Sequence, residues 1–330
     1  MASTSTRSDG TARHGLPADL ALAKWFWHRR FHARSFPLEV LAGAKGDARV
    51  TVIIPVRECA ATIAGVLEKS VGPGRSCGLV DELVVVDAAS ADGSAGVAAA
   101  AGARVIQQDE VAPELGSALG KGDAMWRALL VTGGDIVCFL DGDTLDPDPA
   151  HLLGLLGPLL TDPTIRLVKG AFDRPFDTGS GSLPHEGGRV TELMARPLIN
   201  LSEPRLAGFA QPLAGEFAGR RDVLESLAFP VGYGVEIATL IDTCRRYGLD
   251  ALAECELGTR QNRHQSLEAL GDMAYAVLAA VDRRVDGTAE SIAGPGAGRG
   301  PSGALIALEE RPPAASYAAE RCVARPAAGS

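Results

Sequence analysis

Continuous apolar runs alternate with helix-like patterns along most of the chain. The runs VTVIIP from Val50, ELVVVD from Glu82 and DIVCFLD from Asp135 are apolar almost throughout, as expected of strands covered on both faces. The stretches between these runs place apolar residues at the spacing of a helix. The alternation predicts an α/β fold with a Rossmann-like, mostly parallel sheet, right-handed crossovers and helices on both faces.

The pattern predicts regular structure from Val50 to Val285. We expect strands at Val50–Pro55, Glu82–Asp87, Ala103–Gln107, Asp135–Asp141, Ile165–Ala171, Leu213–Gly219 and Ala251–Leu257. We expect helices at Ala60–Ser70, Ala95–Gly102, Gly122–Val131, Arg189–Leu201, Arg221–Leu227, Val235–Tyr247 and Ser266–Val285.

Composition sets the two ends of the chain apart. Residues 1–20 are rich in Ser, Thr, Arg and Gly, which predicts a disordered tail, and residues 21–48 form an extension before the first strand. The aromatic and basic stretch Trp25–Phe31 in this extension is expected to dock on the domain or on a partner subunit. From Gly287 the chain becomes rich in Gly, Ala and Pro, which predicts a flexible linker and C-terminal tail over residues 287–330. The last 20 or so residues could pack back on the domain or remain without fixed structure.

The overall composition narrows the function classes. The chain has 330 residues, a formal net charge of -9 and only 5% aromatic residues, which argues against a nucleic-acid partner. Its six cysteines lack the close pairing of a zinc or redox motif, so we expect reduced thiols in a cytoplasmic protein. We expect no signal peptide and no stable membrane insertion, because no apolar stretch is long enough for either.

Acidic residues follow three of the predicted strands. Glu58, Asp87 and the triplet Asp141-Gly142-Asp143 each lie at or just beyond a strand's carboxyl end. Ligands of open parallel sheets bind beyond these ends, so the acidic groups are expected to face one crevice. Two carboxylates one residue apart present oxygen ligands to Mg²⁺ or Mn²⁺, and such a metal would neutralise a diphosphate. Alone, an Asp-Gly-Asp triplet is also common in solvated turns.

Two glycine-rich helix starts are candidate anion sites. Lys121 lies between two glycines, where its ammonium group can approach a phosphate, although the Walker spacing is absent. In the second, Gly187 and Gly188 precede Arg189 and Thr191, and the unpaired N–H groups of the helix start add donors for a phosphate or carboxylate. Each could equally be an ordinary surface turn.

Two further groups lie near predicted element ends. Tyr233 and Glu236 lie about one turn apart at a helix start, and Arg260 and His264 belong to a basic cluster that follows a strand. Arg260 could meet phosphates, and His264 could complete a metal site with Asp143. A single histidine of this kind is as often structural.

At these residues the sequence resembles a known family. The ordered set VIIPVRE, ELVVVDAASADGS, GKGDAMWRAL, FLDGD, LVKGAFDRP, GGRVTELMARPL, QPLAGEFAGRR, GYGVEIATLID and LGTRQNR is similar to the glucosyl-3-phosphoglycerate synthases and the related actinobacterial mannosyl-3-phosphoglycerate synthases. These are retaining enzymes with the GT-A glycosyltransferase fold, grouped in glycosyltransferase family 81. The likeness extends from about Trp27 to about Val285.

The resemblance implies a reaction, a cofactor and an assembly. A hexose is transferred from a nucleoside diphosphate sugar to the 2-hydroxyl of D-3-phosphoglycerate with retention at the anomeric carbon, and a divalent metal and a homodimer are implied. Residues 49–150 would form the nucleotide-sugar-binding half and residues 151–286 the acceptor-binding half.

Motif matching assigns residues to these implied roles. The donor would be bound by Pro55, Val56, Arg57, Glu58, Asp87, Lys121, Asp141, Gly142, Asp143 and Tyr233. The acceptor would be bound by Gly187, Gly188, Arg189, Thr191 and Asn262. The metal ligands would be Asp143, His264 and Asp141. The catalytic residues would be Asp143, Leu213, Glu236 and Arg260.

The chain departs from the family pattern at two places. The family reads PALNEEATI where this chain reads PVRECAATI, so Cys59 replaces a glutamate expected near the nucleotide base. The family reads RAHRN where this chain reads RQNRH, which puts Asn262 at the expected metal histidine and His264 two residues later. Alternate residues of an extended segment point the same way, so His264 could substitute. These departures suggest a guanosine donor and a mannosyl preference, or tolerance of both sugars.

Other functions stay open at the level of sequence. A sugar-phosphate nucleotidyltransferase, a GT-A enzyme with another acceptor and a non-catalytic nucleotide-sugar-binding protein share parts of the pattern. The first normally has a Gly- and Lys/Arg-rich loop after the first strand, and PVRECAAT is not one. Because no acid pair is obviously placed as a base, we expect front-face transfer in which the leaving diphosphate accepts the proton. Glu216 and Glu236 are the residues that could overturn this view.

Overall fold

A computed structural model of the protein describes residues 18–173, 176–177, 182–183, 188–260, 265–285 and 296–324. Its strands are β1 Arg30–His32, β2 Val50–Val56, β3 Glu82–Asp87, β4 Arg104–Gln107, β5 Ile136–Phe139, β6 Leu167–Asp173, β7 Phe176–Asp177, β8 Ser182–Leu183, β9 Phe217–Arg220, β10 Phe229–Pro230, β11 Leu252–Thr259, β12 Ala297–Arg299, β13 Leu305–Ala307 and β14 Glu310–Arg311. Its α-helices are α1 Ala18–Arg29, α2 Leu38–Ala44, α3 Ile63–Gly65, α4 Gly72–Ser76, α5 Ser94–Ala100, α6 Lys121–Leu130, α7 Pro149–Thr161, α8 Arg196–Ser202, α9 Arg221–Glu225, α10 Val235–Tyr247, α11 Leu267–Val285 and α12 Ala314–Ala324.

Eight strands form one central sheet in the order β1-β11-β6-β9-β5-β2-β3-β4. Neighbouring strands are parallel except at β9, which pairs antiparallel with both β5 and β6. The inner strands are apolar because both of their faces are covered: one cluster of buried side chains surrounds Phe139 and Phe217, and the other surrounds Val52 and Leu155. The predicted mostly parallel α/β architecture is confirmed.

Two predicted elements differ in extent. The helix expected to end at Ser70 continues through a π-helical stretch, Val66–Val71, into α4. The strand expected from Leu213 begins only at Phe217, so residues 211–216 form a loop at the end of the sheet. Gln211 accepts a turn hydrogen bond from Ala214 N (3.0 Å), and this turn keeps the apolar stretch from extending β9.

The N-terminal extension is part of the domain. Regular structure begins at α1, earlier than the predicted start at Val50, and β1 adds an edge strand beside β11. Trp25 is fully buried, stacks 4.5 Å from the Phe209 ring, and donates a hydrogen bond from Nε1 to Leu252 O (2.8 Å). The prediction that this aromatic stretch docks on the domain is confirmed, although Trp27 is 80% exposed.

Part of the expected flexible C-terminal segment is folded. Within residues 287–330, the described residues 296–324 form β12 and β13 as a hairpin, β14 paired with β10, and α12. Arg311 of β14 forms an ion pair with fully buried Asp123 of α6 (2.6 Å). The expectation of a flexible linker is therefore wrong for residues 296–303. The described residues of the tail pack back on the domain, which was one of its two alternatives, because a long-range ion pair and strand pairing hold them there.

Candidate active site

The carboxyl ends of the central strands open into a cleft of about 810 Å³. The cleft extends from the end of β2 and the start of α6 to the helix that begins near Gly188. Leu305, Ile306 and Ala307 of the C-terminal hairpin also line it. No local sequence pattern indicated this contribution, because it depends on the chain returning to the cleft from a distant position.

Asp141 is held between two cations at the floor of the cleft. Lys121 Nζ lies 2.7 Å from Asp141 Oδ1, and Arg260 NH2 lies 3.0 Å from Asp141 Oδ2. Lys121 also pairs with Glu236 at 3.0 Å, and Arg260 with Glu216 at 3.0 Å. The Asp143 side chain remains 48% exposed and lies 3.5 Å from Arg260 NH2. Residues from five segments of the chain thus form one charged network.

The protonation states in this network follow from its charges. Burial would raise the pKa of Asp141, but Lys121 and Arg260 hold it well below its usual value, so this carboxylate is ionised. Burial would lower the pKa of Lys121, but Asp141 and Glu236 raise it above its usual value, so this amine is charged. Burial and the neighbouring Asp141 raise the pKa of Asp143. A cation at Asp143 would offset both effects on that carboxyl.

Two glycines bring backbone close to the charged network. A Cβ atom on Gly142 would lie 2.6 Å from Val56 Cγ1, so the Asp-Gly-Asp turn can pack against β2 only with glycine at its centre. A Cβ atom on Gly215 would overlap Lys121 Nζ and lie 2.7 Å from Asp141 Oδ2. The loop at residues 211–216 therefore lies directly against the Lys121–Asp141 pair.

The second candidate anion site lies across the cleft. Gly188 adopts a left-handed φ of 72°, and the helical stretch that follows begins with Arg189. Arg189 and Thr191 both line the cleft, and Arg189 NH2 donates to Gln265 O (3.1 Å). The residues of this helix start thus line the same cavity as Asp141, and a helix start is a favourable place for an anion.

Most of the predicted site residues line this cleft. The residues that do so are Pro55, Val56, Arg57, Lys121, Asp141, Asp143, Gly188, Arg189, Thr191, Leu213, Tyr233, Glu236 and Arg260. Gly187, Asn262 and His264 lie outside the described residues.

Glu58, Asp87 and Gly142 were predicted to bind the donor but are not among the residues lining the cleft. Glu58 Oε1 accepts from Ala91 N (2.8 Å). Asp87 Oδ2 accepts from Ser90 N (3.1 Å) and from Gln107 Nε2 (3.0 Å), whereas its buried Oδ1 has no hydrogen-bond partner among the described residues. Gly142 lies beneath the surface, where its carbonyl accepts from Thr62 Oγ1 (2.7 Å).

Several charged residues lie behind the cleft, and of these Lys169 and Glu254 were not predicted from the sequence. Glu216, weighed as a base, is 1% exposed and paired with Arg260, and it does not line the cleft. Lys169 and Glu254 are buried in β6 and β11 and contact the loop at residues 211–216. The only signal for them was a charged residue inside an otherwise apolar strand.

The cleft suits a divalent cation bound together with a ligand. No group of three His, Cys, Asp or Glu side chains in the described part of the chain could hold a metal alone. The half-exposed carboxylate of Asp143, with Asp141 behind it, supplies oxygen ligands at the cleft surface. Mg²⁺ is usually bound by one or two carboxylates together with water and substrate phosphates, and this donor set matches that pattern.

The sequence of this chain is similar to those of known glycosyltransferases. The sequence model of Glycosyl transferase family 2 matches residues 51–226. Glucosyl-3-phosphoglycerate synthase of Mycobacterium tuberculosis is 44% identical over 273 residues, which cover 82% of this chain and 81% of that protein. The corresponding enzyme of Petrotoga mobilis is 42% identical over 208 residues, covering 63% of this chain and 64% of that protein.

Solved structures agree with the sequence comparison. Mannosyl-3-phosphoglycerate synthase from Rubrobacter xylanophilus matches with a TM-score of 0.79 at 42% identity, covering 89% of this chain and 99% of that one. The Mycobacterium tuberculosis synthase, crystallised with Mn²⁺, UDP-glucose and phosphoglyceric acid, matches with a TM-score of 0.75 at 40% identity, covering 86% of this chain and 95% of that one. These similarities confirm the predicted GT-A fold.

Proposed function

This chain belongs to the glucosyl-3-phosphoglycerate synthase family of glycosyltransferases, and from this membership we propose that it transfers a hexose from a nucleoside diphosphate sugar to the 2-hydroxyl of D-3-phosphoglycerate. The product is a glucosyl- or mannosyl-3-phosphoglycerate, a precursor of a compatible solute. The observation that best supports the proposal is the charged network around Asp141, with Asp143 open to the cleft on one side and Arg189 across it.

We assign the donor to the side of the cleft formed by β2 and α6. Pro55, Val56 and Arg57 lie where the nucleoside would bind, and Lys121 and Arg260 supply positive charge for the diphosphate. Asp143, with Asp141 behind it, would hold Mg²⁺ or Mn²⁺, which stabilises negative charge on the leaving diphosphate. Tyr233, Glu236 and Leu213 line the space for the sugar.

We assign the acceptor to the side of the cleft formed by Gly188, Arg189 and Thr191. The Arg189 guanidinium and the helix start suit the phosphate or carboxylate of 3-phosphoglycerate. Asn262, predicted to join them, lies outside the described residues.

Transfer with retention fits the charges near the sugar position. An inverting enzyme needs a carboxylate base beside the acceptor hydroxyl. Glu236 is paired with Lys121, and Glu216 is buried against Arg260, so neither is placed as a base in the described site. We therefore propose front-face transfer, in which the leaving phosphate oxygen accepts the proton of the acceptor hydroxyl as the new glycosidic bond forms.

The nucleotide base is the least constrained part of the donor. Cys59 lines the cleft where the family pattern has a glutamate, and a thiol is a weak hydrogen-bond partner. We propose that this position does not select uridine and that GDP-mannose, GDP-glucose and UDP-glucose are all candidate donors.

A donor-by-acceptor matrix tests the proposed function. Each donor is incubated with D-3-phosphoglycerate, glycerate or phosphate, and nucleoside diphosphate release and product mass are measured. We expect release only with 3-phosphoglycerate and from a guanosine as well as a uridine donor. Turnover of UDP-glucose alone would contradict the proposed base tolerance. Formation of a nucleoside triphosphate and a sugar 1-phosphate when pyrophosphate is added instead of an acceptor would indicate a nucleotidyltransferase.

The variant Cys59→Glu is matched to this matrix. If position 59 contacts the base, a glutamate should shift the ratio of uridine to guanosine donor turnover by about tenfold, the equivalent of one hydrogen bond. An unchanged ratio would show that base preference is set elsewhere.

We also propose a cytoplasmic homodimer. None of the helices in the described part of the chain combines the length and apolar character needed to cross a membrane. The five cysteines with described side chains are free thiols, as expected in a reducing compartment. Large apolar side chains at Leu193 and Leu201 are 80% and 85% exposed on one helical stretch, which suits burial against a second subunit. Sedimentation equilibrium measures the subunit number directly.

A further inference from the structure

The loop at residues 210–216 is fixed at both ends by buried charged side chains. At its start, Glu254 Oε1 accepts from Ala210 N (2.8 Å) and from Gln211 N (3.1 Å). At its end, Lys169 Nζ donates to Ala214 O (2.5 Å). Leu213, which lies between these anchors, and Gly215, which follows them, line the cleft. The backbone conformation of this loop is thus set from behind, by side chains that do not line the cleft.

Lys169 and Glu254 form a pair across the sheet. They occupy partnered positions on the parallel strands β6 and β11, so their side chains leave the sheet on the same face and near each other. Both are buried, with exposed fractions of 0% and 1%. On the other neighbouring strand, the ring centre of Phe217 lies 4.7 Å from Lys169 Nζ. The ammonium group therefore lies between this ring and the loop, to which it donates its hydrogen bond.

We propose that Lys169 and Glu254 are positioning residues that hold the loop at residues 210–216 in the geometry that catalysis requires. This inference rests on the proposed function, because the loop matters for transfer only if the sugar lies over Leu213. The loop contacts the charged network directly, since Gly215 packs against Lys121 and Asp141. A shift of the loop would therefore displace Leu213, over which the sugar would lie, together with the Lys121–Asp141 pair.

A purely structural role accounts poorly for these side chains. Burying an ammonium or carboxylate group is costly, and apolar residues of similar volume usually stabilise such sites as well or better. Burial lowers the pKa of Lys169 to about 7 and raises the pKa of Glu254 to about 7, although Arg30 Nε lies 3.3 Å from Glu254 Oε2 and opposes the shift of Glu254. The hydrogen bonds to the loop persist in either protonation state, because an amine still donates and a protonated carboxyl still accepts.

The variant Lys169→Met separates positioning from stability. Methionine retains most of the apolar stem but cannot donate to Ala214 O. We expect kcat to fall about 100-fold, the effect of a displacement of about 1 Å in a catalytic group, while KM for donor and acceptor changes less than about threefold. Ile165→Val, a buried change just before β6, is the matched control for mild destabilisation. Thermal unfolding of each variant gives the folded fraction.

Glu254 supplies an independent pair of variants, which keeps the test decisive if Lys169→Met does not fold. Glu254→Gln keeps a carbonyl oxygen for the two loop N–H groups, whereas Glu254→Leu does not. We expect kcat of Glu254→Gln to exceed that of Glu254→Leu by about tenfold or more. Equal kcat values in this pair, or a folded Lys169→Met enzyme with kcat within about threefold of wild type, would overturn the proposal.

The wild-type enzyme distinguishes failure of this inference from failure of the proposed function. If wild type does not use 3-phosphoglycerate, the proposed function is wrong before any variant is compared. The variants are then measured with whichever acceptor supports turnover. A loss of kcat that only follows the folded fraction, as in Ile165→Val, would assign Lys169 to stability alone.

Discussion

Among single residues, Gly215 is the loop position that packs directly against two members of the charged network, Lys121 and Asp141. Gly215→Ala would place a methyl group against Lys121 Nζ and Asp141 Oδ2. Both are ends of side chains, so the fold can adjust, but only by moving the catalytic pair. We predict a loss of kcat of about 100-fold with little loss of stability, measured by steady-state kinetics and thermal unfolding. Gly43→Ala is the control, since a Cβ there has nothing within 4 Å.

Glu254 gives the chain a predictable pH dependence. Its pKa is raised by burial to about 7 from 4.5, so from pH 4.5 to 7 the folded chain keeps a proton that the unfolded chain has lost. The stability from this group is full below pH 4.5 and falls as pH rises to 7. Relative to Glu254→Gln, wild type should lose up to about 3 kcal/mol of unfolding free energy over this window. Urea unfolding at several pH values measures the difference, and a constant difference would contradict the assignment.

Asp143 is the proposed metal ligand with the greatest access to the cleft. Removing divalent metal with EDTA should abolish turnover, and Asp143→Asn should lower kcat about 100-fold or more by weakening charge stabilisation on the leaving diphosphate. Calorimetric titration of Mn²⁺ in the presence of nucleoside diphosphate should show weaker metal binding in the variant. Metal affinity equal to that of wild type would place the metal elsewhere.

At the scale of elements, the C-terminal segment is fastened to α6. Asp123 is fully buried and accepts from Arg311 NH2 (2.6 Å) and from Arg127 Nε (3.1 Å). Asp123→Asn leaves two guanidinium groups without their carboxylate, and we predict a loss of about 3–5 kcal/mol in unfolding free energy. The exposed pair of Glu192 and Arg196 is the control: Glu192→Gln should change stability by less than about 0.5 kcal/mol. Equal effects of the two variants would refute this account.

Local pattern predicted those elements whose environment is uniform along the chain. The strand Glu82–Asp87 and the helix Val235–Tyr247 have the predicted bounds, because one is covered on both faces and the other carries a regular apolar stripe. Residues 213–216 of the loop were predicted as strand, since the hydrogen bonds with Lys169 and Glu254 that hold the loop are not visible in local sequence.

In the whole molecule, contacts between distant parts of the chain were not predictable from the sequence. The Gly-, Ala- and Pro-rich C-terminal part appeared flexible, yet Arg311 and β14 hold it on the domain. The convergence of strand ends was predictable, because the carboxyl ends of parallel strands meet at one edge. Glu58 and Asp87 do not line the cleft, and each accepts a hydrogen bond from a neighbouring backbone N–H group, so their assignment to the donor stays a prediction.

The distribution of charge in the cleft differs from that of the chain as a whole. The chain is acidic overall, with a net charge of -9, yet cations gather where an anionic donor and acceptor would bind. Lys121 and Arg260 are both held by carboxylates, so the cleft presents a balanced network rather than a bare positive patch. We infer that the network fixes geometry before the substrates bind, which is the form of catalysis that positioning and electrostatic stabilisation require.

The most direct test of the central claim is an NMR spectrum of the product made from a donor labelled with ¹³C in its hexose and unlabelled D-3-phosphoglycerate. The account predicts a long-range correlation between the labelled hexose C1 and the proton on C2 of the glycerate, with a C1–H1 coupling that shows the same anomeric configuration as the donor. Free hexose, a linkage to another oxygen or an inverted anomeric centre would contradict it.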